Sequence, residues 1–131
     1  MSTPVIHPIA RLTGARKRYG AITALDGIDL ELRRGELLAL LGSNGAGKST
    51  ALGLLTGRLA ADAGEVSLFG ADPREASARR RIGVMLQEAR LPETLRVREL
   101  VHLFASYYPA PRAVDETLAL AGLTELAPRK Q

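Results

Sequence analysis

Two kinds of hydrophobic pattern occur along the first part of the chain. In Leu25–Leu32 apolar residues alternate with acidic ones, which is the period-two pattern of a strand with one solvated face. The runs Leu37–Leu41 and Ile82–Leu86 are apolar throughout, which is typical of strands buried on both faces of a parallel sheet. We predict two further strands, at Ile9–Tyr19 and Glu65–Phe69.

Apolar residues at helical spacing predict helices between and after these strands. The first helix spans Lys48–Leu59, and its apolar face is predicted to carry Leu52, Leu55 and Leu59. A second strong pattern runs from Val97 to Tyr108 and is ended by prolines. We predict two other helices, at Arg74–Arg80 and Val114–Ala121.

The order of the elements predicts the fold class. Strands come first, mixed strands and helices follow, and the last part is helical, which indicates an α/β core whose later strands are not in this sequence. We expect residues 1–8, with two prolines, to be a flexible tail. Residues 9–131 are then part of one domain, in which 9–87 hold the strands and the main motif and 88–131 are mostly helical.

Composition narrows the class of protein. The 131 residues are 46% hydrophobic and 24% charged, as expected of a folded globular chain rather than a disordered one. The absence of cysteine excludes disulfides, zinc sites built from thiolates and cysteine nucleophiles. No run approaches the ~18 apolar residues of a membrane helix, and the first ten residues lack the pattern of a signal peptide.

The charge balance is weakly basic. Lysine and arginine number 18 against 14 acids, a net charge of +4. The basic runs Arg16–Arg18 and Arg79–Arg81 are short and stand apart, which favours solvated surface over a nucleic-acid site. We therefore expect no nucleic-acid partner.

One loop carries the candidate chemistry. It follows the apolar run Leu37–Leu41, opens the helix at Lys48, and matches the pattern G-x-x-x-x-G-K-[ST] of phosphate-binding loops. Its residues are Gly42, Ser43, Asn44, Gly45, Ala46, Gly47, Lys48, Ser49 and Thr50. Because the order strand, loop and helix is also the required one, a chance glycine turn is a poor explanation.

The residue types of this loop suit a nucleoside triphosphate with Mg²⁺. Glycines allow backbone N–H groups to point inward around a phosphate, and the helix start adds its positive dipole end. Lys48 would reach the β- and γ-phosphates, the Ser49 hydroxyl would ligate Mg²⁺, and Thr50 would lie beside the α-phosphate.

With its flanking landmarks, the sequence resembles the nucleotide-binding domain of ABC transporters over about Leu12–Leu126. The landmarks are the phosphate loop, Tyr19, Leu25–Leu30, Gly35-Glu36, Gly64-Glu65-Val66 and Ile82–Gln87. The resemblance implies a P-loop NTPase core, with an antiparallel β-region at the N-terminus and the start of a helical subdomain. It also implies that the chain is truncated and is the N-terminal part of that domain.

The resemblance assigns roles to two residues outside the loop. Tyr19 stands where family members stack an aromatic ring on the adenine of ATP. Gln87, at the end of the second apolar run, matches the glutamine that contacts Mg²⁺ on the γ-phosphate side. The implied nucleotide-binding set is therefore the loop with Tyr19 and Gln87, and the implied metal ligands are Ser49 and Gln87.

The resemblance also implies partners and a location. Region 88–99 would contact the transmembrane permease subunits, and a second ATP-binding subunit would complete a dimer. The protein would be cytoplasmic and peripheral on the inner face of the membrane, held there by a permease. The segment Gln87–Leu95 is similar to that of drug-type exporters.

The hydrolytic residues of the family are missing from this sequence. The expected apolar strand ending in Asp and Glu does not occur, and Asp115-Glu116 lies in a helical pattern, where we expect a solvated face. The general base is expected beyond Gln131, so no catalytic residue is assigned. We expect this chain to bind ATP weakly or not at all and not to turn it over.

Three other functions remain open at this point. A soluble ABC ATPase without a membrane partner would share the same motifs. A non-hydrolysing ATP-binding remnant would have the phosphate loop without the acids. A P-loop kinase or GTPase is less consistent, because the base-reading motif of GTPases is absent and kinases normally lack the Tyr19 and Gln87 landmarks.

Overall fold

The structure of the protein is a computed structural model that describes residues 7–45, 47–87 and 91–130. The chain divides into two units, the first ending at Ile82 and the second beginning at Gly83. None of the helices in the described ranges combines the length and the apolar character that a bilayer-spanning helix needs.

The first unit is built on an antiparallel sheet. Strands β1 (Ala10–Tyr19), β2 (Ile22–Leu32) and β3 (Ala63–Leu68) lie in the order β2-β1-β3. The antiparallel β-region predicted at the N-terminus is therefore confirmed. Strand β2 begins earlier than predicted, because Ile22 pairs directly with Tyr19 across the tight turn at Gly20 and Ala21.

Helix α1 (Lys48–Leu55) packs on this sheet. Its Ala51 and Leu54 join buried residues of β1 and β2 in one core cluster. The helix is shorter than predicted, because the chain leaves it in a turn in which Gly57 has φ 71°. Of the predicted apolar face, Leu55 and Leu59 pack against this core, but Leu52 does not, since it is 52% exposed whereas Leu54 is 1% exposed.

The two all-apolar runs are not strands. Among the described residues no strand pairs with Leu37–Leu41 or Ile82–Leu86, and neither run has regular secondary structure. Leu37 is 99% exposed and Met85 98%. The prediction is therefore wrong for this chain, because a strand buried on both faces needs neighbouring strands to bond its N–H and C=O groups.

A second core cluster forms where helix α2 (Ala76–Arg79) meets the sheet. Ala78 is buried with Ala10 of β1 and Leu68 of β3. The weak helix predicted here is confirmed in a shorter form. The guanidinium of Arg81, from the basic run after α2, lies 3.8 Å from the centre of the Phe69 ring.

The second unit is helical, as predicted. It contains α3 (Val97–Ala105), α4 (Val114–Leu120) and a short 3-10 helix at Thr124–Leu126 that the sequence pattern missed. The backbone N–H groups of Val97 and Arg98 donate to the carbonyls of Arg129 and Ala127. The N–H groups in the first turn of a helix have no partner within the helix. Carbonyl groups of the chain after the 3-10 helix therefore accept hydrogen bonds from the first turn of α3.

Asp115 and Glu116 lie in the first turn of α4. Asp115 pairs with Arg98, and Glu116 pairs with Arg112 at 2.7 Å, and all four side chains are more than half exposed. This confirms the prediction that the acidic pair is a solvated helix face.

Candidate functional site

The phosphate loop connects the exposed run Leu37–Leu41 to α1. Gly47 ends the loop with φ 87°, and its carbonyl accepts the first hydrogen bond of the helix from the N–H of Ala51, at 2.8 Å. The loop therefore leads directly into a helix N-terminus, where N–H groups and the helix dipole favour an anion. Ala46 lies outside the described residues.

Gly47 lies very close to strand β2. A Cβ atom at this position would be 2.5 Å from the carbonyl oxygen of Ala24 and 2.7 Å from a methyl group of Leu25. Real Cβ atoms do not make contacts this short, so only glycine fits. The end of the loop at Gly47 thus packs directly against Ala24 and Leu25 of β2. This contact helps to fix the position of the loop.

Lys48 folds back over its own loop. Its ammonium group donates to the carbonyl oxygens of Gly42 at 2.5 Å and Ser43 at 2.7 Å. The positive charge therefore lies inside the curve of the loop. Phosphate oxygens are stronger partners for an ammonium than neutral carbonyls are, so the arrangement is suited to exchange these contacts for an anion.

The loop forms one wall of a cavity of 320 Å³. The lining residues are Ile22, Thr23, Ala24, Asn44, Gly45, Gly47, Lys48, Ser49 and Thr50. Glycine backbone, one ammonium and two hydroxyls on one side face the start of β2 on the other. This donor set fits a phosphate chain with a cation.

The β2 wall of the cavity is a feature that sequence reasoning missed. Ile22, Thr23 and Ala24 carry no motif, and the alternation pattern predicted a strand only from Leu25. One signal was present, because a two-residue turn at Gly20 and Ala21 would return the chain at Ile22.

Tyr19 lies next to that wall. It ends β1, pairs with Ile22 across the turn, and is 47% exposed. The structure therefore places the predicted stacking residue beside a residue that lines the cavity, in the same unit as the phosphate loop. Its role in binding adenine remains a prediction.

Asp62 and Lys17 lie beside Tyr19. The carboxylate of Asp62 accepts a hydrogen bond from the Lys17 ammonium at 2.9 Å and another from the N–H of Arg18 at 2.8 Å. The hydrogen bond from Lys17 and then that from Arg18 hold the pKa of Asp62 below its ordinary value, although desolvation acts in the opposite direction. The carboxylate is therefore ionised near neutral pH.

Gln87 and region 88–99 belong to the second unit. Gln87 is exposed, and residues 88–90 lie outside the described residues. In the described ranges no group of three or more His, Cys, Asp or Glu side chains could hold a metal ion. The metal roles of Ser49 and Gln87 therefore stay predictions.

The sequence matches the ABC transporter family over residues 25–131. This match covers most of the chain, and the chain belongs to that family. The resemblance based on the phosphate loop and its flanking landmarks is thereby confirmed, as is the fold class of a P-loop NTPase core.

Relatives and solved structures agree with this assignment. The chain is 40% identical over 126 residues to the Nod factor export ATP-binding protein I of Ralstonia nicotianae, covering 95% of this chain and 39% of that protein. It is 48% identical over 93 residues to a daunorubicin resistance ATP-binding protein of Streptomyces coeruleorubidus, covering 70% of this chain and 29% of the relative.

A methionine import ATP-binding protein of Rhizobium johnstonii is 42% identical, over 91% of this chain and 36% of its own length. A solved ATP-binding subunit of an ABC transporter superposes with a TM-score of 0.82 and 26% identity, over 93% of this chain and 54% of that structure's chain. The chain therefore spans well under half of these curated relatives.

Proposed function

We propose that this chain provides the ATP-binding part of the ATPase subunit of an ABC transporter. The observation that carries the proposal is the cavity between the phosphate loop and the start of β2, with the Lys48 ammonium in the loop and Tyr19 beside the opposite wall. The family match and the relatives named as ATP-binding proteins support it.

In this proposal the nucleotide lies along the cavity. The backbone of Gly42–Gly47 and the ammonium of Lys48 hold the phosphates, and the Tyr19 ring stacks on the adenine. Ser49, exposed in the first turn of α1, and Gln87 ligate Mg²⁺. The bound cation would supply charge neutralisation between the β- and γ-phosphates.

Hydrolysis and transport belong to the whole subunit. Asp115 and Glu116 are paired with arginines on a solvated helix face, so we do not assign them the activation of water. We propose that the complete subunit hydrolyses ATP, pairs with a second copy, and contacts permease subunits through region 88–99 on the cytoplasmic side of the membrane.

We further propose that transport by this system is drug-type export. The proposal is based on the segment Gln87–Leu95 and on the Nod factor export and daunorubicin resistance relatives, while relatives named for import are similar to the chain as well. The test compares cells with and without the gene and distinguishes export from import. Higher accumulation of a labelled drug in the cells without the gene supports export. Loss of nutrient uptake in those cells would contradict export.

The sequence alone led us to expect weak or no ATP binding by this chain, whereas the cavity beside the phosphate loop leads us to propose measurable binding. This proposal is tested by titrating the 131-residue chain with ATP and, separately, with inorganic tripolyphosphate. Lys48→Ala should weaken both ligands at least about tenfold, because charged hydrogen bonds contribute about 1.5–3 kcal/mol. Tyr19→Ala should weaken ATP about tenfold, as expected for one base stacked on an aromatic ring, and leave tripolyphosphate unchanged. Isothermal titration calorimetry measures both.

Lys130→Ala is the matched control, since it removes one lysine in the second unit. It should change neither affinity. Equal binding by Lys48→Ala and the unsubstituted chain would contradict the proposed phosphate site.

A further inference from the structure

Asp62 is attached to strand β1 at three points, although it lies in the connection between α1 and β3. Its N–H donates to the carbonyl of Arg16 at 2.9 Å. Its two carboxylate oxygens accept separately from the Lys17 ammonium and the Arg18 N–H, at 2.9 and 2.8 Å. Since all three bonds reach the same short stretch of β1, the carboxylate is held in one position.

Lys17 is the least exposed side chain among the ion pairs of the described residues, at 16%. Besides its bond to Asp62, its ammonium lies over the ring of Tyr19, 5.9 Å from the ring centre. A cation at this distance is attracted by the face of an aromatic ring. Lys17 therefore links a fixed carboxylate to the ring of the proposed adenine-stacking residue.

We propose that Lys17 and Asp62 are positioning residues that hold the Tyr19 ring ready to stack on the nucleobase. The inference rests on the proposed function, because it assumes that Tyr19 receives the base. Lys17 lies over one face of the ring, and the proposal assigns the other face to adenine. A ring already held in place loses less side-chain freedom when the base binds.

This arrangement separates recognition of the base from recognition of the phosphates. The Lys17 charge is compensated by Asp62, so it acts on the ring and not as a second phosphate ligand. Loss of Lys17 should weaken ligands that contain a base and leave a bare phosphate chain unaffected. A general loss of folding would weaken both.

The test compares ATP with inorganic tripolyphosphate on the same variants of the 131-residue chain. Lys17→Met should weaken ATP roughly two- to fivefold, the range expected for one cation–π contact at a partly exposed site, and leave tripolyphosphate unchanged. Asp62→Asn should act in the same direction. Lys17→Arg, which keeps the cation, should restore most of the ATP affinity.

Arg16→Gln is the matched control. Arg16, next to Lys17 in β1, pairs with Asp26 of β2 at 3.1 Å, both side chains are more than half exposed, and its loss changes the net charge equally. It should leave both affinities unchanged. In the double variant with Tyr19→Ala, Lys17→Met should have no further effect on ATP, because the ring on which it acts is gone.

A second readout does not depend on ATP affinity. In the chain labelled with fluorotyrosine, the fluorine NMR resonance of Tyr19 is assigned by its loss in Tyr19→Phe. Lys17→Met and Asp62→Asn should shift that resonance, and Arg16→Gln should not.

The outcomes separate the two proposals. Suppose that Tyr19→Ala weakens ATP but not tripolyphosphate, whereas Lys17→Met changes neither affinity. The positioning role is then wrong and the proposed function stands. The same conclusion follows if Lys17→Met does not shift the Tyr19 resonance. If Tyr19→Ala has no effect on ATP, or the unsubstituted chain binds neither ligand, the proposed function fails and this inference fails with it.

Discussion

Gly45 and Gly47 in the phosphate loop have almost the same backbone angle but different surroundings. Their φ values are 85° and 87°. A Cβ at Gly45 would meet nothing within 4 Å, whereas a Cβ at Gly47 would meet the backbone of Ala24 at 2.5 Å. The motif makes both glycines look alike, and only the approach of β2 distinguishes them.

The first prediction at this scale compares the two substitutions to alanine. Gly45→Ala should cost about 1–2 kcal/mol of unfolding free energy, the strain of a left-handed backbone with a Cβ. Gly47→Ala should cost at least about 1 kcal/mol more, because the loop or β2 must move as well. Urea unfolding measures the difference, and equal costs would show that the loop does not rest on β2.

At the scale of elements, the turn between β3 and α2 is organised by one aspartate. The Asp72 carboxylate accepts hydrogen bonds from the guanidinium of Arg74, at distances from 2.6 to 3.1 Å, and from its N–H at 2.8 Å. The Asp72 carbonyl accepts from the N–H of Glu75, the residue that precedes α2. The hydrogen bonds from the Arg74 guanidinium, followed by the bond from the Arg74 N–H, lower the pKa of Asp72 from 3.8 to about 2.

This turn should therefore show a defined pH dependence. Because the folded-state pKa is depressed, the stabilisation by Asp72 is present above pH 3.8 and is lost as the pH falls through about 2. Carbon NMR titration should place the Asp72 midpoint near 2, and Arg74→Gln should return it towards 3.8. Arg98→Gln, which leaves this turn intact, is the control, and an Asp72 midpoint that Arg74→Gln does not move would contradict the assignment.

The predicted elements were recovered where their partners are nearby in sequence. Strand β1, the part of β2 from Leu25, α3 and α4 follow from local pattern, and Glu99 accepts a hydrogen bond from the N–H of Arg96 at 2.7 Å where α3 starts. The buried face of α1 was recovered only for Leu55 and Leu59, because leucines lie on several sides of the helix. Contact with the sheet selected Leu54 over Leu52.

At the scale of the whole molecule, the exposed apolar runs dominate the expected solution behaviour. Leu37 and Leu41 are 99% and 91% exposed, and they lie in a five-residue run without charge. An exposed apolar patch of this kind favours association between chains.

Replacing Leu37 and Leu41 with lysine should therefore reduce association of the 131-residue chain. Light scattering across a concentration series should show a lower average mass for the double variant, with no loss of thermal stability. Lysine at Leu54, which is buried, should instead unfold the first unit. Unchanged association in the Leu37→Lys/Leu41→Lys variant would show that these residues are not the contact surface.

The sequence by itself determined the phosphate loop, the strand ending at Tyr19 and the family, because these depend on residue types at short, fixed spacing. The tertiary structure alone decided which strand supports the loop, that Leu54 of α1 is buried and Leu52 is not, and that Asp62 reaches Lys17 from 45 positions away. It also decided that, in the described residues, Leu37–Leu41 and Ile82–Leu86 join no strand of the sheet. Strand pairing and burial depend on contacts with residues that are distant in the sequence. The local pattern of apolar and polar residues does not identify those contacts.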